Sequence, residues 1–98
     1  MNAHIVDPAE LTDTEKDGLR KIDMWQLRRR RGGYGLRGER WVVTLRTVEA
    51  LQTKGLVRAV IGGGKNTVII TGSGKMTLGV LDERARRMME GKRRVSNG

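Results

Sequence analysis

The chain holds no cysteine and no phenylalanine, and only one proline and one histidine, in 98 residues. Without cysteine there are no disulfides and no thiolate metal sites. His4, close to the start, has no evident co-ligand for a metal. Trp25, Tyr34 and Trp41 are the only aromatic residues. Leu, Val, Ile and Met must therefore fill the single modest core that a chain of this length can build. No apolar run approaches the roughly eighteen residues of a membrane span. The opening MNAHIVDPAE lacks the basic start and apolar centre of a secretion signal, so a cytoplasmic location and no membrane partner are expected.

Catalytic chemistry is equally short of material. There is no thiol, no histidine in an apolar setting and no carboxylate pair framed by apolar residues. Asp13, Glu15 and Asp17 gather at one helix start, and Asp82 and Glu83 on the last helix, where dipole compensation and solubility account for them. Gly72-Ser73-Gly74-Lys75 follows an apolar strand as a phosphate-binding loop would. That motif needs glycine where Ile69 stands and Ser or Thr where Met76 stands. Gly62-Gly63-Gly64-Lys65 fails in the same way at Ala59 and Asn66. No enzymatic role, no cofactor and no small-molecule ligand are expected.

What the chain has is positive charge. Twenty Lys and Arg against eleven Asp and Glu leave +9. An excess this large on a small domain favours a polyanionic partner, nucleic acid before anionic membrane. A merely solvated basic surface is the plain alternative, and the clustering of arginine argues against it. Residues 28–40, RRRRGGYGLRGER, carry Arg28, Arg29, Arg30, Arg31, Arg37 and Arg40 around Tyr34. Read as a loop, this stretch offers guanidinium forks to phosphates and an exposed tyrosine to stack on a base.

The chain divides into a flexible leader (residues 1–10), one domain (11–90) and a disordered basic tail (91–98). Asp7-Pro8 can start a helical turn. Thr12 and Glu15 form a capping box for a helix with Leu11, Leu19, Ile22 and Trp25 on one side. This helix is expected to reach Arg31, before Gly32-Gly33. Gly18 within it is either a weak spot or a close-packing contact. Trp41-Val42-Val43 reads as a short strand or a buried entry to the next helix. Thr44 caps a second helix, 44–54, which buries Leu45, Val48 and Leu51 and turns Arg46, Ala50, Thr53 and Lys54 outward, with Thr47 at the edge. Gly55 stops it. Val57–Ile61 and Thr67–Thr71 then form a hairpin joined by the five residues 62–66, a mobile tip holding Lys65 and Asn66. Ser73 or Thr77 caps a last helix to Glu90, closed by Gly91. Leu78, Leu81, Ala85 and Met88 recur at seam spacing along it, to pack on the domain's own core or to make a homodimer.

The run Thr47-Val48-Glu49-Ala50-Leu51-Gln52-Thr53-Lys54-Gly55-Leu56-Val57-Arg58 is similar to the recognition-helix ending of winged-helix transcription regulators such as the MarR family. Ile70-Thr71-Gly72-Ser73-Gly74 resembles the strand-to-helix step after their wing. The resemblance spans residues 44–81. It implies an α+β winged-helix domain: helix, loop or short strand, recognition helix, β-hairpin wing and C-terminal helix. In that frame Trp41–Val43 pairs with the wing as a third strand. The implied function is double-stranded DNA binding in transcriptional control. Thr44, Arg46, Thr47, Ala50, Thr53 and Lys54 would work in the major groove, and Arg58, Lys65 and Asn66 on the wing. The arginine stretch, with Tyr34, would hold the backbone. A winged-helix adaptor that docks an acidic protein, or a binder of structured RNA, would draw on the same charge.

Overall fold

An interior with few aromatics has to be closed by aliphatic side chains from helices and strands together, and the computed structural model shows how this is done. It describes residues 6–96, with side chains described to residue 88; His4 lies outside these. A 3-10 turn (Pro8–Glu10) leads into α1 (Asp13–Met24), β1 (Leu27–Arg30), β2 (Gly33–Gly35) and β3 (Val42–Thr44). Then follow α2 (Leu45–Thr53), β4 (Val57–Gly62), β5 (Lys65–Ile70) and α3 (Gly72–Ser96). The strands form one antiparallel sheet in the order β3-β2-β1-β5-β4. The fold is α+β, with the core on one face of the sheet.

The first helix begins as its sequence dictates. The Glu15 N–H donates to the Thr12 hydroxyl at 3.1 Å, and the Thr12 N–H donates to the Glu15 carboxylate at 2.9 Å. Gly18 is a close-packing contact, because a Cβ there would sit 3.0 Å from Thr47 and 3.1 Å from Val43. The helix stops at Met24, a full strand short of the expected end at Arg31. Arginine is a good helix former and nothing between Trp25 and Arg31 breaks a helix. Leu27 decides the matter. A continued helix would turn it about 140° away from Ile22, off the apolar face. As the first residue of β1 it is instead fully buried.

Arg28 to Arg30 therefore lie on a strand, paired with Gly35, Tyr34 and Gly33 across a tight turn at Arg31-Gly32. The third strand beside the wing is β1, through Leu27 to Val68 and Arg28 to Thr67, and not Trp41–Val43. Val42–Thr44 is a strand, as expected, but it pairs with β2 at the far edge of the sheet. Tyr34 corrects the sequence reading further. Only 7% of it is exposed, because alternation turns it to the core face opposite Val43.

Thr44 caps α2 by accepting from the Thr47 N–H at 3.3 Å. Val48 and Leu51 are buried as expected, whereas Leu45 is exposed and Thr47 is buried in its place. The hairpin is tighter than read from sequence. Its ladder continues to Gly62 and Lys65, leaving a two-residue turn. Gly63 and Gly64 have φ of 58° and 74°. Positive φ at both central residues is the condition for a turn whose twist matches the strands. The glycines are there for turn geometry rather than for mobility.

Thr71, rather than Ser73 or Thr77, caps α3, its hydroxyl accepting from the Gly74 N–H at 3.1 Å. Thr77 is buried and donates to the Val6 carbonyl at 3.0 Å. Val6 is itself part of the core, and Asp7 pairs with Arg84 at 2.9 Å, so these residues belong to the domain and not to a flexible leader. At the other end α3 runs past Gly91 to Ser96. Its expected seam divides: Leu78 is buried in the domain, Leu81 is half-buried against it, and Ala85 and Met88 are exposed. Leu19, Leu27, Leu51 and Leu56 close the centre, each worth about 1.5–3 kcal/mol of burial.

Glu15 also joins α1 to α2, accepting from the Lys54 ammonium at 3.0 and 3.2 Å. The Thr12 N–H first, and then Lys54 against the opposing effect of burial, hold its carboxyl below the ordinary value near 4.5. A depressed carboxylate contributes stability that is present above that value and lost as pH falls through the folded one. The melting temperature of Glu15→Gln should sit lower at neutral pH and fall less steeply than the wild type's between roughly pH 5 and roughly pH 2. Parallel melting curves would remove this carboxylate from the account of the helix pair.

Candidate nucleic-acid interface

Charge on this chain is sorted by element. Lys16 pairs with Asp13, Lys21 with Asp17 and Arg87 with Glu83 along single helices. Arg20–Asp82, Lys54–Glu15 and Arg84–Asp7 tie elements together. Every one of these cations lies on α1 or α3 or at the end of α2. Among the described residues, Arg28, Arg31, Arg37, Arg40, Arg46, Arg58, Lys65, Lys75 and Arg86 have no such pair. Lys75 and Arg86 stand on α3, and the other seven lie on the sheet, its loops or the first turn of α2.

The topology sets where these residues stand. β1, β3 and β4 run one way and β2 and β5 the other, so one end of the sheet collects the Arg31-Gly32 turn, the start of α2 and the Gly63-Gly64 turn. The Leu45 N–H donates to the Gly32 carbonyl at 3.3 Å, fixing the first turn of α2 against the β1–β2 turn. The β1–β5 pairing stops at Arg28 and Thr67, so the two turns stand at the same end of the sheet beyond the paired part of these strands. Arg31, Arg46 and Lys65, all exposed, share this end.

Several expected contact residues have structural occupations instead. Arg29 donates to the Gly33 carbonyl at 3.1 Å and to the Arg30 carbonyl, closing the tight turn, and its guanidinium lies 6.0 Å from the Tyr34 ring centre. Arg30 crosses Gly35, where a Cβ would stand 3.4 Å from its Cδ. It donates to the Leu36 carbonyl and, at 2.7 Å, to that of Glu39. It thereby straps the 36–40 loop, which carries Arg37 and Arg40, to the sheet. Tyr34 is in the core and unavailable for stacking. Lys54 is held by Glu15. Thr44 and Thr47 share a hydroxyl contact at 2.9 Å within the cap. The Thr53 hydroxyl donates back to the Glu49 carbonyl at 2.9 Å.

On α2 this leaves Arg46 exposed at the first turn and Ala50 half-buried, in a shallow groove shared with Thr12, Thr14 and Glu15. Asn66 is exposed at the wing, and Arg28 and Arg58 are exposed on the side of the sheet away from the core. Arg28 and Arg58 therefore do not converge with α2, which lies on the opposite face. Two residues escaped the sequence reading. Glu49 is exposed three positions after Arg46 and puts a negative charge on the flank of α2. Ile61, 80% exposed opposite Asn66, stands beside the wing turn. Counting it in a β-branched run hid that the strand extends beyond the core there. Among the described residues no helix is long and apolar enough to cross a membrane. Comparison with known proteins adds no constraint: no family model, curated protein or solved structure matches the chain.

The four consecutive arginines should separate on mutation. Arg31→Ala should leave the melting temperature within about 4 °C of wild type, as expected of an exposed side chain without a structural contact. Arg30→Ala should open the 36–40 loop to limited proteolysis at Arg37 or Arg40. Equal protease resistance in the two variants would refute the strap.

Proposed function

We propose that the chain binds double-stranded DNA in the manner of a winged helix, with transcriptional control as its role. The reading rests on one observation: Arg31, Arg46 and Lys65, cations without an ion pair, share the end of the sheet that holds the β1–β2 turn, the start of α2 and the wing turn. The order of parts supports it. α1, β1, α2 and the β4–β5 hairpin follow one another as helix, strand, recognition helix and wing, with β1 completing the sheet beside the wing. Where a helix-turn-helix has its first helix, which crosses the DNA backbone, this chain has the β2–β3 hairpin.

In this reading α2 enters the major groove by its first turn. Recognition helices make base contacts with their N-terminal residues, and the positive helix end favours nearby phosphate. Arg46 then reaches a guanine edge or a phosphate, while Ala50 and Thr53 recede along the helix. Arg31 replaces the backbone contacts of the missing helix. Lys65 and Asn66 reach phosphates, and Ile61 lies against sugars at the groove wall. Glu49 either repels backbone or accepts a hydrogen bond from cytosine.

Arg46→Ala should cost about 1–3 kcal/mol on a duplex selected from a randomised pool, and far less on random DNA. Lys65→Ala and Arg31→Ala should weaken both alike, each reducing the slope of log affinity against log salt by about one. Glu49→Gln should tighten binding to random duplex and relax preference at one position. Fluorescence anisotropy across a salt series measures all four. A pool that returns no enriched site, with affinity indifferent to Arg46, would overturn the reading.

A further inference from the structure

At the opposite end of the sheet the chemistry changes. The β1–β5 ladder ends at Leu27 and Val68, while β5 continues to Ile70 on β4. A groove of about 350 Å³ opens there, between the end of α1 and the start of α3. Its floor is the buried pair Ile22 and Val68, and its walls include Met24, Trp25 and Ile69. A second groove of about 280 Å³ shares Ile69 and Ile70 and extends the surface to Arg58.

Three features set this surface apart from scattered surface apolar residues. Met24 is 71% exposed and Trp25 41%, side by side, and Ile69 of the same groove is 37% exposed. A contiguous apolar patch rimmed by polar groups marks an interaction site more often than isolated exposed leucines do. Trp25 is braced before any partner arrives. Its ring lies 5.5 Å from that of Trp41, over which Lys21 is seated at 4.8 Å. A fixed aromatic anchor loses little freedom on binding. Lys75 and Arg58 stand at the margins without an ion pair among the described residues, against the single carboxylate of Asp23.

We infer that this groove docks an acidic peptide segment carrying large apolar side chains, supplied by a protein partner. The apolar side chains of such a segment fill the space over Ile22 and Val68, against Met24 and Trp25. Its carboxylates meet Lys75 and Arg58. A polyphosphate backbone would use the cations and leave the apolar walls wet, so nucleic acid fits this end poorly. The inference goes beyond the DNA reading and does not depend on it, because no groove residue is shared with the turns end.

The experiment is selection of a displayed random-peptide library on the whole protein, followed by anisotropy with the selected peptide carrying a fluorophore. Selected peptides should combine Asp or Glu with Trp, Phe, Leu or Met. Lys75→Glu should weaken their binding about tenfold and Met24→Ala about fivefold, as expected for a charge pair and an apolar anchor at an interface. Both residues are exposed, and an acidic side chain in the first turn of α3 suits its dipole, so both variants keep the fold. Met24→Ala should leave duplex DNA affinity unchanged, and Arg46→Ala should leave peptide affinity unchanged, so the two readings fail separately. Selected peptides without acidic bias, or indifferent to Lys75→Glu, would overturn the inference. So would a wild-type dimer in sedimentation that Met24→Ala dissociates, which would give the groove to a second copy.

Discussion

Two residue pairs make one sheet of this molecule's five strands. Leu27 faces Val68 and Arg28 faces Thr67, and this is the whole of the ladder that joins β1 to β5. Without it the sheet would divide into a three-stranded β1–β2–β3 meander and a two-stranded β4–β5 hairpin, and a lone hairpin is marginal in water. A ladder so short cannot rest on its hydrogen bonds, which contribute only about 1 kcal/mol each net. It rests on burial, because Leu27 and Val68 are withdrawn from water beneath α1, whose Leu19 and Ile22 belong to the same core. Moving Leu27 out of the first helix is the condition for that contact. Both ends of the sheet then follow from the ladder. Its direction brings the Arg31-Gly32 and Gly63-Gly64 turns to the same end, and its early stop leaves the apolar groove at the other.

The net charge of +9 is divided by local geometry. Helices place residues three and four apart within reach, so acids on α1 and α3 find cations on the same or the adjoining helix. A strand offers no such neighbour along its own face, and the partners of β1 are glycines and tyrosine on one side and threonine on the other. Its arginines have therefore either turned to backbone carbonyls, as Arg29 and Arg30 do, or stayed without a counter-ion. Exposed ion pairs are worth little in stability, typically about 0.2–1 kcal/mol. Their effect here is to leave most of the uncompensated positive charge on the sheet and the first turn of α2, with Lys75 and Arg86 the exceptions on α3.

Features governed by neighbours in sequence were legible before the structure. The Thr12–Glu15 capping box, the Thr44 cap, the Gly55 stop, the two hairpin strands and the strand at Val42 all follow from local chemistry. Misreadings arose where distant contact outranked local preference. Nothing near Arg28 announces that Leu27 will be claimed by Val68, so a helix-forming stretch became a strand and Tyr34 went inside with it. The glycines at 62–64 looked like slack because the register that tightens the turn is set along the entire hairpin. Of the candidate site, Arg46, Lys65 and Arg31 could be named from sequence. That Lys54 is held by Glu15, 39 positions away, and that Arg30 straps a loop, depends on distances no local pattern encodes.

The contrast between the two ends has a physical origin in how the chain enters and leaves its strands. At the turns end the strands reverse directly, and tight reversals need glycine and tolerate charge, which leaves arginine and lysine facing water. At the other end α1 leads into β1, α2 into β4 and β5 into α3, beside the 36–41 loop that joins β2 to β3. Apolar residues continue to the end of α1 at Met24 and Trp25, off its buried stripe, and β5 delivers Ile69 and Ile70 just before α3 begins. Ile70 packs partly against the core, and the other three stay exposed and line a groove. A domain too small for an internal cavity can then present two unlike surfaces, a cationic edge suited to phosphates and an apolar notch with a basic rim. Because they lie at opposite ends of the same strands, a partner seated at one leaves the other open.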